Sequence, residues 1–190
     1  MATATRPAKQ EVAARSQIGE ARVTGVEVWR QLQRASFAVI SYVTPAGKPR
    51  SSGVVYTAAG ERLYMVVAPD SWKARHIASG GDVSVTVPVR RGGVLSLLLP
   101  IPPATISFQA TATVHPAGSV NVSSLPSELE ALLPADRRDE AVVIELAPRG
   151  EFLTYGVAVP LMDMKDPELA RAVVPMTSSQ GNAKGGGSSE

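Results

Sequence analysis

Apolar and polar residues alternate with a two-residue period over several short stretches of the chain. Residues 82–89 place valine at every second position, and residues 105–114 alternate over ten positions. This period predicts β-strands with one buried face. The stretch Phe37–Val43 is apolar on both faces, which predicts a strand that is covered on both sides.

Further strands are predicted between turn signals that are rich in glycine and proline. The first three strands of the chain are expected to form a hairpin meander, in which each strand pairs with the next. The apolar, proline-rich segment 92–104 is predicted to be a loop. The remaining strands lie at residues 50–56, 62–68, 141–147 and 151–157, with turns at 45–49, 58–60 and 148–150.

Short helices are predicted from capping signals. Thr24 and Glu27 have the capping-box spacing and open a helix that ends near Ala35. Asp70 is the predicted N-cap of a helix over residues 71–79, which a pair of glycines ends. Two further helices are predicted at residues 125–133 and 167–173.

This order of elements predicts the fold class. About seven strands without a long βαβ alternation indicate a mainly β fold, a small antiparallel barrel of six to seven strands. One domain over residues 18–176 is expected. Residues 1–17 lack periodicity and residues 177–190 are rich in glycine and serine, so both are expected to be flexible tails.

Composition removes several classes of function. The 190 residues include no cysteine, which excludes disulfides, thiolate metal sites and cysteine nucleophiles. Prolines break the longest apolar stretch and the N-terminus has no apolar signal segment, so a cytoplasmic protein with no membrane partner is expected. Residues 18–176 carry 15 basic and 15 acidic side chains, and this balance argues against a nucleic-acid partner.

Several motifs of known chemistry are absent from the sequence. It contains no glycine-rich dinucleotide or triphosphate loop and no nucleophile elbow. The two histidines, His76 and His115, lie far apart and no carboxylate cluster frames either of them, so no metal site is predicted. His76 is expected on an exposed helix face and His115 at the end of a strand.

The charges separate along the chain. Residues 30–91 carry nine basic and three acidic side chains, whereas residues 121–170 carry four basic and ten acidic ones. Two interpretations remain open: the two halves attract each other as solvated faces, or the first half holds an anionic ligand.

The junction from Tyr64 to Arg75 combines groups that suit an anion. A predicted strand ends there, and a helix begins with Ser71 and Lys73 in its first turn. The first N–H groups of a helix lack internal partners and lie at its positive end, so a hydroxyl and an ammonium beside them suit a phosphate. The predicted meander brings Arg50 to the same place. The alternative is an ordinary capped helix with basic surface residues.

The stretch from Leu32 to about Val114 resembles the split-barrel flavoproteins of the pyridoxamine 5′-phosphate oxidase-like superfamily. A short helix precedes FAVISYVTPAGKPRSSGVVYTAAGERLYMVVAPDSWKARHI, which has the strand, P-x-G turn, basic residue, strand, G-x-L-Y strand and S-x-K helix start of that superfamily in order. The alternating strand FQATATV follows. The resemblance implies a split barrel that forms a homodimer with a flavin, FMN, at the subunit interface.

The resemblance also implies a set of cofactor-binding residues. Arg50, Ser71 and Lys73 are expected to hold the phosphate, and Trp72 is expected to flank it or the ring edge. The strand from Ser51 to Val55 is expected to lie along the flavin ring. From that strand the implied contacts are Ser51, Val54 and Val55 through the backbone, and Ser52.

Three positions depart from the superfamily pattern. Val67 stands where a threonine is frequent, Gln109 where a basic residue is frequent, and Ala110 where glycine is frequent. Val67 and Gln109 remain among the cofactor-binding positions that the resemblance implies. Four hypotheses follow: an FMN-dependent oxidoreductase of unknown substrate, a reductase dependent on the deazaflavin coenzyme (F420), a non-catalytic flavin- or haem-binding protein, and a barrel without a cofactor. The C-terminal segment does not match the oxidase proper, so vitamin synthesis is not expected.

Overall fold

The computed structural model describes residues 23–91, 103–119 and 140–176. These residues form eight strands, three α-helices and one 3-10 helix. In chain order they are α1 (Gly25–Arg34), β1 (Phe37–Val43), β2 (Pro49–Val55), β3 (Thr57–Ala59), β4 (Arg62–Val67), α2 (Trp72–Gly80), β5 (Asp82–Val89), β6 (Ala104–His115), β7 (Val142–Tyr155), the 3-10 helix Asp163–Lys165, α3 (Pro167–Ala170) and β8 (Arg171–Pro175).

The strands form one antiparallel sheet that curls into a half-barrel. Its order is β2-β1-β5-β6-β7-β4-β3, and β8 pairs with the second half of β7. The mainly β, antiparallel barrel that the sequence predicts is therefore confirmed. The alternating valines of β5 point into the barrel, as the two-residue period requires.

Helix α1 packs one face on the barrel core. Thr24 caps it by accepting a hydrogen bond from the Glu27 N–H, as the capping-box spacing predicts. Val28 and Leu32 are fully buried. At the other end, the buried hydroxyl of Tyr56 donates to the carbonyl oxygen of Leu32 over 2.8 Å, which satisfies one of the carbonyls that a helix end leaves open.

The predicted meander is wrong. The β1–β2 pairing of the meander is present, but within the described residues β2 has no second partner and β4 pairs with β3 and β7, so β2 and β4 are not hydrogen-bonded neighbours. The β3–β4 hairpin joins the sheet through a strand some 80 residues further on, because β7 supplies the apolar partner face that β4 needs: Leu63 and Met65 face Leu146 and Ile144. β2 and β4 instead border the split of the barrel.

The two predicted strands around residues 148–150 are a single strand, β7. Pro148 and Arg149 lie inside it, and Gly150 adopts a φ of 75°. The register between β6 and β7 shifts here, since Ser107 pairs with Leu153 but Gln109 pairs with Arg149. The turn signal therefore marks a bulge that bends β7, not a hairpin turn.

Smaller differences concern the helices. Ser71, not Asp70, caps α2, because a turn closed by the Ser71 N–H on the Ala68 carbonyl places Asp70 before the helix. The predicted helix 167–173 stops at Ala170, where β8 begins. The helix at 125–133, most of the loop at 92–104 and both tails lie outside the described residues. Among those that are described, no helix is long and apolar enough to cross a membrane.

Candidate anion-binding cleft

A cleft of about 1220 Å³ lies where the barrel is split, between β2, the end of β4 and the start of α2. Strand β1 and the turn that follows it complete the walls. The cleft is lined by Tyr42, Thr44, Pro45, Ala46, Lys48, Arg50, Ser51, Ser52, Val66, Val67, Ala68, Asp70, Ser71, Trp72, Lys73, Arg75 and His76.

The start of α2 presents free hydrogen-bond donors to the cleft. The Ser71 hydroxyl accepts from the Lys73 N–H over 3.3 Å, and the first intrahelical bond runs from the Arg75 N–H to the Ser71 carbonyl. The N–H groups of Trp72 and Ala74 therefore have no intrahelical acceptor. They lie at the positive end of the helix dipole, beside the Lys73 side chain.

Strand β2 supplies the opposite wall. Val54 is buried in the barrel, so Ser52 and Arg50, which are two and four residues earlier, share its inward face. Ser51 lies on the outward face, where its hydroxyl and that of Ser41 are 2.8 Å apart. Arg50 and Ser52 thus face the split from β2, and Lys73 faces it from α2.

The cleft holds more basic than acidic side chains. Lys48, Arg50, Lys73 and Arg75 line it, and Asp70 is the acidic residue among the lining side chains. Within the described residues, none of these four forms an ion pair with a carboxylate. Arg75 instead donates to the Asp70 carbonyl oxygen over 3.1 Å. Its guanidinium lies 4.3 Å from the centre of the Trp72 ring.

Three aromatic rings line one side of the cleft. The His76 ring lies 5.7 Å from Trp72 and 6.0 Å from Tyr42, measured between ring centres. Trp72 is 68% exposed, whereas Tyr42 is buried. His76 is half-buried, with its Nδ1 atom enclosed and without a hydrogen-bond partner. The expectation that His76 lies on an exposed helix face is therefore wrong, because Tyr42 on β1 covers it.

The structure brings together most, but not all, of the residues that the sequence points to. Val54 faces the core, Val55 lies exposed on the outward face of β2, and Gln109 lies exposed on β6 between Ser84 and Arg149. These three do not line the cleft. The residues that do line it are Arg50, Ser51, Ser52, Val67, Ser71, Trp72 and Lys73.

Sequence reasoning missed several lining residues. Arg75 and His76 follow Trp72 by three and four positions, the helical spacing that places them beside it. That spacing could have found both. Tyr42 gives no such signal, because only the pairing of β1 with β2 sets it opposite Arg50. No group of three potential metal ligands occurs in the part of the chain that the structure describes.

No protein-family model and no curated protein sequence matches the chain. Solved structures do match it. A Clostridium acetobutylicum protein of the pyridoxinephosphate oxidase family, related to general stress protein 26, superposes with a TM-score of 0.54 at 6% identity, over 80% of this chain and 93% of its own. The haem storage protein of Vibrio cholerae gives 0.51 at 15% identity, over 70% and 95%.

A flavin-binding neighbour is also among these structures. An FAD-binding protein from Mesorhizobium loti superposes with a TM-score of 0.50 at 14% identity, over 67% of this chain and 91% of its own. At such identities the comparison establishes the fold alone. The chain has the split-barrel fold of pyridoxamine 5′-phosphate oxidase-like proteins, which confirms the fold that the sequence resemblance implies.

Proposed function

We propose that this protein binds FMN in the cleft and acts as a flavin-dependent oxidoreductase. The observation that carries the proposal is the set of basic side chains, unpaired within the described residues, around the free N-terminus of α2. Keeping such charges close together without carboxylates is unfavourable unless an anion joins them. The phosphate of FMN is an anion of this kind, and neighbours of the same fold include a flavin-binding protein.

Each wall of the cleft has a role in this proposal. Lys73, the Ser71 hydroxyl and the free N–H groups of α2 bind the phosphate, and Arg50 approaches it from β2. Ser52 and the backbone of β2 lie along the ring, with Trp72 at its edge. Bound flavin supplies the hydride or electron transfer, while the chain orients it and provides the electrostatic environment.

A second candidate is a non-catalytic carrier of a flavin or of haem. Val67 favours it, because this buried side chain at the inner end of the cleft offers no hydroxyl to a ribityl chain or a phosphate. A haem storage protein shares the fold. Haem carries two carboxylates, to which the same basic side chains would bind. The deazaflavin coenzyme, whose side chain also carries a phosphate, remains the alternative redox cofactor.

Titration of the cofactor-free protein with FMN, the deazaflavin coenzyme and haem tests these candidates. We expect FMN to bind most tightly, and we expect Lys73→Ala to weaken it by roughly tenfold, since a hydrogen bond to a charged group contributes about 1.5–3 kcal/mol. Lys165→Ala is the matched control, because Lys165 is exposed on the 3-10 helix and does not line the cleft. Equal losses in the two variants, or no FMN binding, would refute the proposal.

We also propose that the protein is a homodimer, as the resemblance implies. The outward face of the sheet supports this. A row of paired residues without a charge crosses six strands: Gly53, Val39, Thr86, Ser107, Leu153 and Val173. A solvated sheet face is normally polar, yet Leu153 is 55% and Val173 41% exposed. A second copy of the chain would cover this row.

Sedimentation of two matched variants tests the dimer. Leu153→Glu places a charge in the row and is expected to give a monomer. Leu161→Glu places the same charge at an apolar residue that is 46% exposed and lies outside the strands, and it should leave the mass unchanged. A monomeric wild-type protein would rule the dimer out.

A further inference from the structure

His76 is a polar side chain of the cleft, and it is not among the residues proposed to contact the phosphate or the flavin ring. It lies in the second turn of α2, and side chains of a helix lean toward its N-terminus. Its ring accordingly lies beside Trp72, one turn earlier, and three positions after Lys73. It therefore leans toward the start of α2, where the free N–H groups lie.

The two nitrogens of the His76 ring have different surroundings. Nδ1 is enclosed and has no hydrogen-bond partner. Nε2 also lacks a partner within the described residues, but it is not enclosed, and the residue lines the cleft. The accessible nitrogen of this ring is thus the one that a bound molecule would meet.

The enclosed position of Nδ1 favours one tautomer of the neutral ring. One nitrogen then carries the proton and the other is bare. A proton on Nδ1 would bury an N–H without an acceptor, an arrangement that folded proteins rarely contain and that costs stability. A proton on Nε2 leaves the bare nitrogen inside and directs a hydrogen-bond donor into the cleft.

We infer that His76 is a further ligand-binding residue, which donates its Nε2–H to a phosphate oxygen of the bound molecule. The inference rests on the proposed function for the identity of the ligand, but the tautomer does not depend on it. The phosphate then receives hydrogen bonds from the His76 Nε2–H as well as from the Lys73 ammonium and the α2 N–H groups. This role also explains why an imidazole lies between two aromatic rings, where an apolar side chain would pack at least as well.

Two variants distinguish the contribution of the His76 hydrogen-bond donor from that of its ring packing. His76→Phe keeps a ring between Tyr42 and Trp72 but removes the donor, and His76→Gln keeps an N–H at the position of Nε2. We expect His76→Phe to weaken FMN binding roughly tenfold, and His76→Gln to stay within about threefold of the wild type. Thermal unfolding of each variant establishes that it is folded. Wild-type affinity in His76→Phe would overturn the inference.

Riboflavin shows which part of the ligand His76 contacts, because it lacks the phosphate. We expect His76→Phe to leave riboflavin affinity unchanged. An equal loss for riboflavin and FMN would place the contact on the ring system and overturn the assignment to phosphate.

Nitrogen-15 NMR of the histidine rings tests the tautomer without any flavin. The chain has two histidines, and His115→Gln leaves His76 as the single signal. At about pH 8 we expect the proton on Nε2, and a shift of that nitrogen when inorganic phosphate is added. A proton on Nδ1, or no response to phosphate, would overturn the inference. If FMN does not bind but phosphate shifts Nε2, the FMN proposal fails and this inference stands.

Discussion

Two groups of basic side chains near strand β4 differ in whether a carboxylate pairs with them. On the outward face, Arg62 binds Glu145 of β7 over 2.5 Å, and the same carboxylate lies 3.1 Å from the Nε2 atom of His115. At the end of β4, where the cleft begins, Lys73 and Arg50 have no carboxylate partner within the described residues. The first group is paired within the chain, whereas the proposed function assigns the second group to the phosphate of a bound molecule.

This difference separates the two interpretations of the charge pattern. Arg62 and Glu145 belong to the basic and the acidic halves, so part of the charge separation does join the two halves. The basic residues of the cleft do not take part in that pairing. Arg62, which is paired, lies only 11 and 12 positions from Lys73 and Arg50, which have no carboxylate partner within the described residues. Substitutions in the two groups should therefore change the free energy of unfolding by different amounts.

The largest effect on stability is expected from the binding of FMN. With FMN at about 100 times its Kd, the free energy of unfolding should rise by roughly 2.7 kcal/mol. Under the same conditions Lys73→Ala should gain only about half as much, because a tenfold weaker Kd leaves about ten times Kd of ligand. Denaturant unfolding with and without FMN measures both. An equal gain in wild type and variant would place FMN elsewhere.

The buried hydroxyl of Tyr56 has a hydrogen-bond partner within the chain, unlike the basic side chains of the cleft, which lack a carboxylate partner within the described residues. Tyr56→Phe removes the donor to the Leu32 carbonyl, and we expect a loss of about 2 kcal/mol, since an acceptor is left buried without a partner. FMN affinity should not change. A loss below about 0.5 kcal/mol would show that water replaces the hydroxyl.

The same residue predicts a dependence on alkaline pH. Burial raises the pKa of Tyr56 above its usual range. The neutral phenol is thus favoured in the folded state, so its stabilising contribution is complete below about pH 10 and is lost as the pH rises above that value. Wild-type stability should therefore fall between about pH 10 and 12 more steeply than that of Tyr56→Phe. Parallel curves would contradict this.

A smaller effect is expected from the paired charges. Glu145→Gln should cost about 0.5–1 kcal/mol, because Arg62 is half exposed and solvent weakens the pair. Glu151→Gln on the same strand is the control, since Glu151 is exposed and lies outside the pair. The difference between the variants should shrink in about 1 M salt. A salt-independent difference would point to packing instead of charge.

The smallest effect on stability is expected where the effect on binding is largest. Arg50→Ala combined with Lys73→Ala should change the free energy of unfolding of the ligand-free protein by less than about 0.5 kcal/mol, because no ion pair within the described residues is lost. Denaturant unfolding measures it. A loss above about 1.5 kcal/mol would mean that these side chains support the fold.

The sequence predicts individual strands and helices more accurately than it predicts which strands pair with each other. The period of the valines in β5 and the capping box of α1 each depend on adjacent residues, and both predictions are confirmed. The pairing of β4 depends on β7, far along the chain, and no local pattern contains it. Gly150 shows the same limit, because a glycine with positive φ suits a turn as well as a bulge.

The sequence predicts that Arg50 and Lys73 lie together, but the premise of that prediction, the pairing of β2 with β4, is wrong. Arg50 and Lys73 do line one cleft, but because the two borders of a split face each other, not because β2 and β4 pair. The role of Val55 and Gln109 came from the resemblance, and neither lines this cleft. Helical spacing places His76 beside Trp72, but it does not reveal Tyr42, the residue on β1 that partly buries His76.

The pairing of β4 with β7 also has a consequence for how the chain acquires its shape. Arg62 and Glu145 are 83 positions apart, so the β4 border of the cleft cannot be fixed until β7 has been synthesised. Contacts between such distant segments slow folding. During that interval, the β3–β4 hairpin has an edge without a partner and is open to pairing with other chains. The yield of native protein should therefore depend on how quickly β7 is synthesised and pairs with β4.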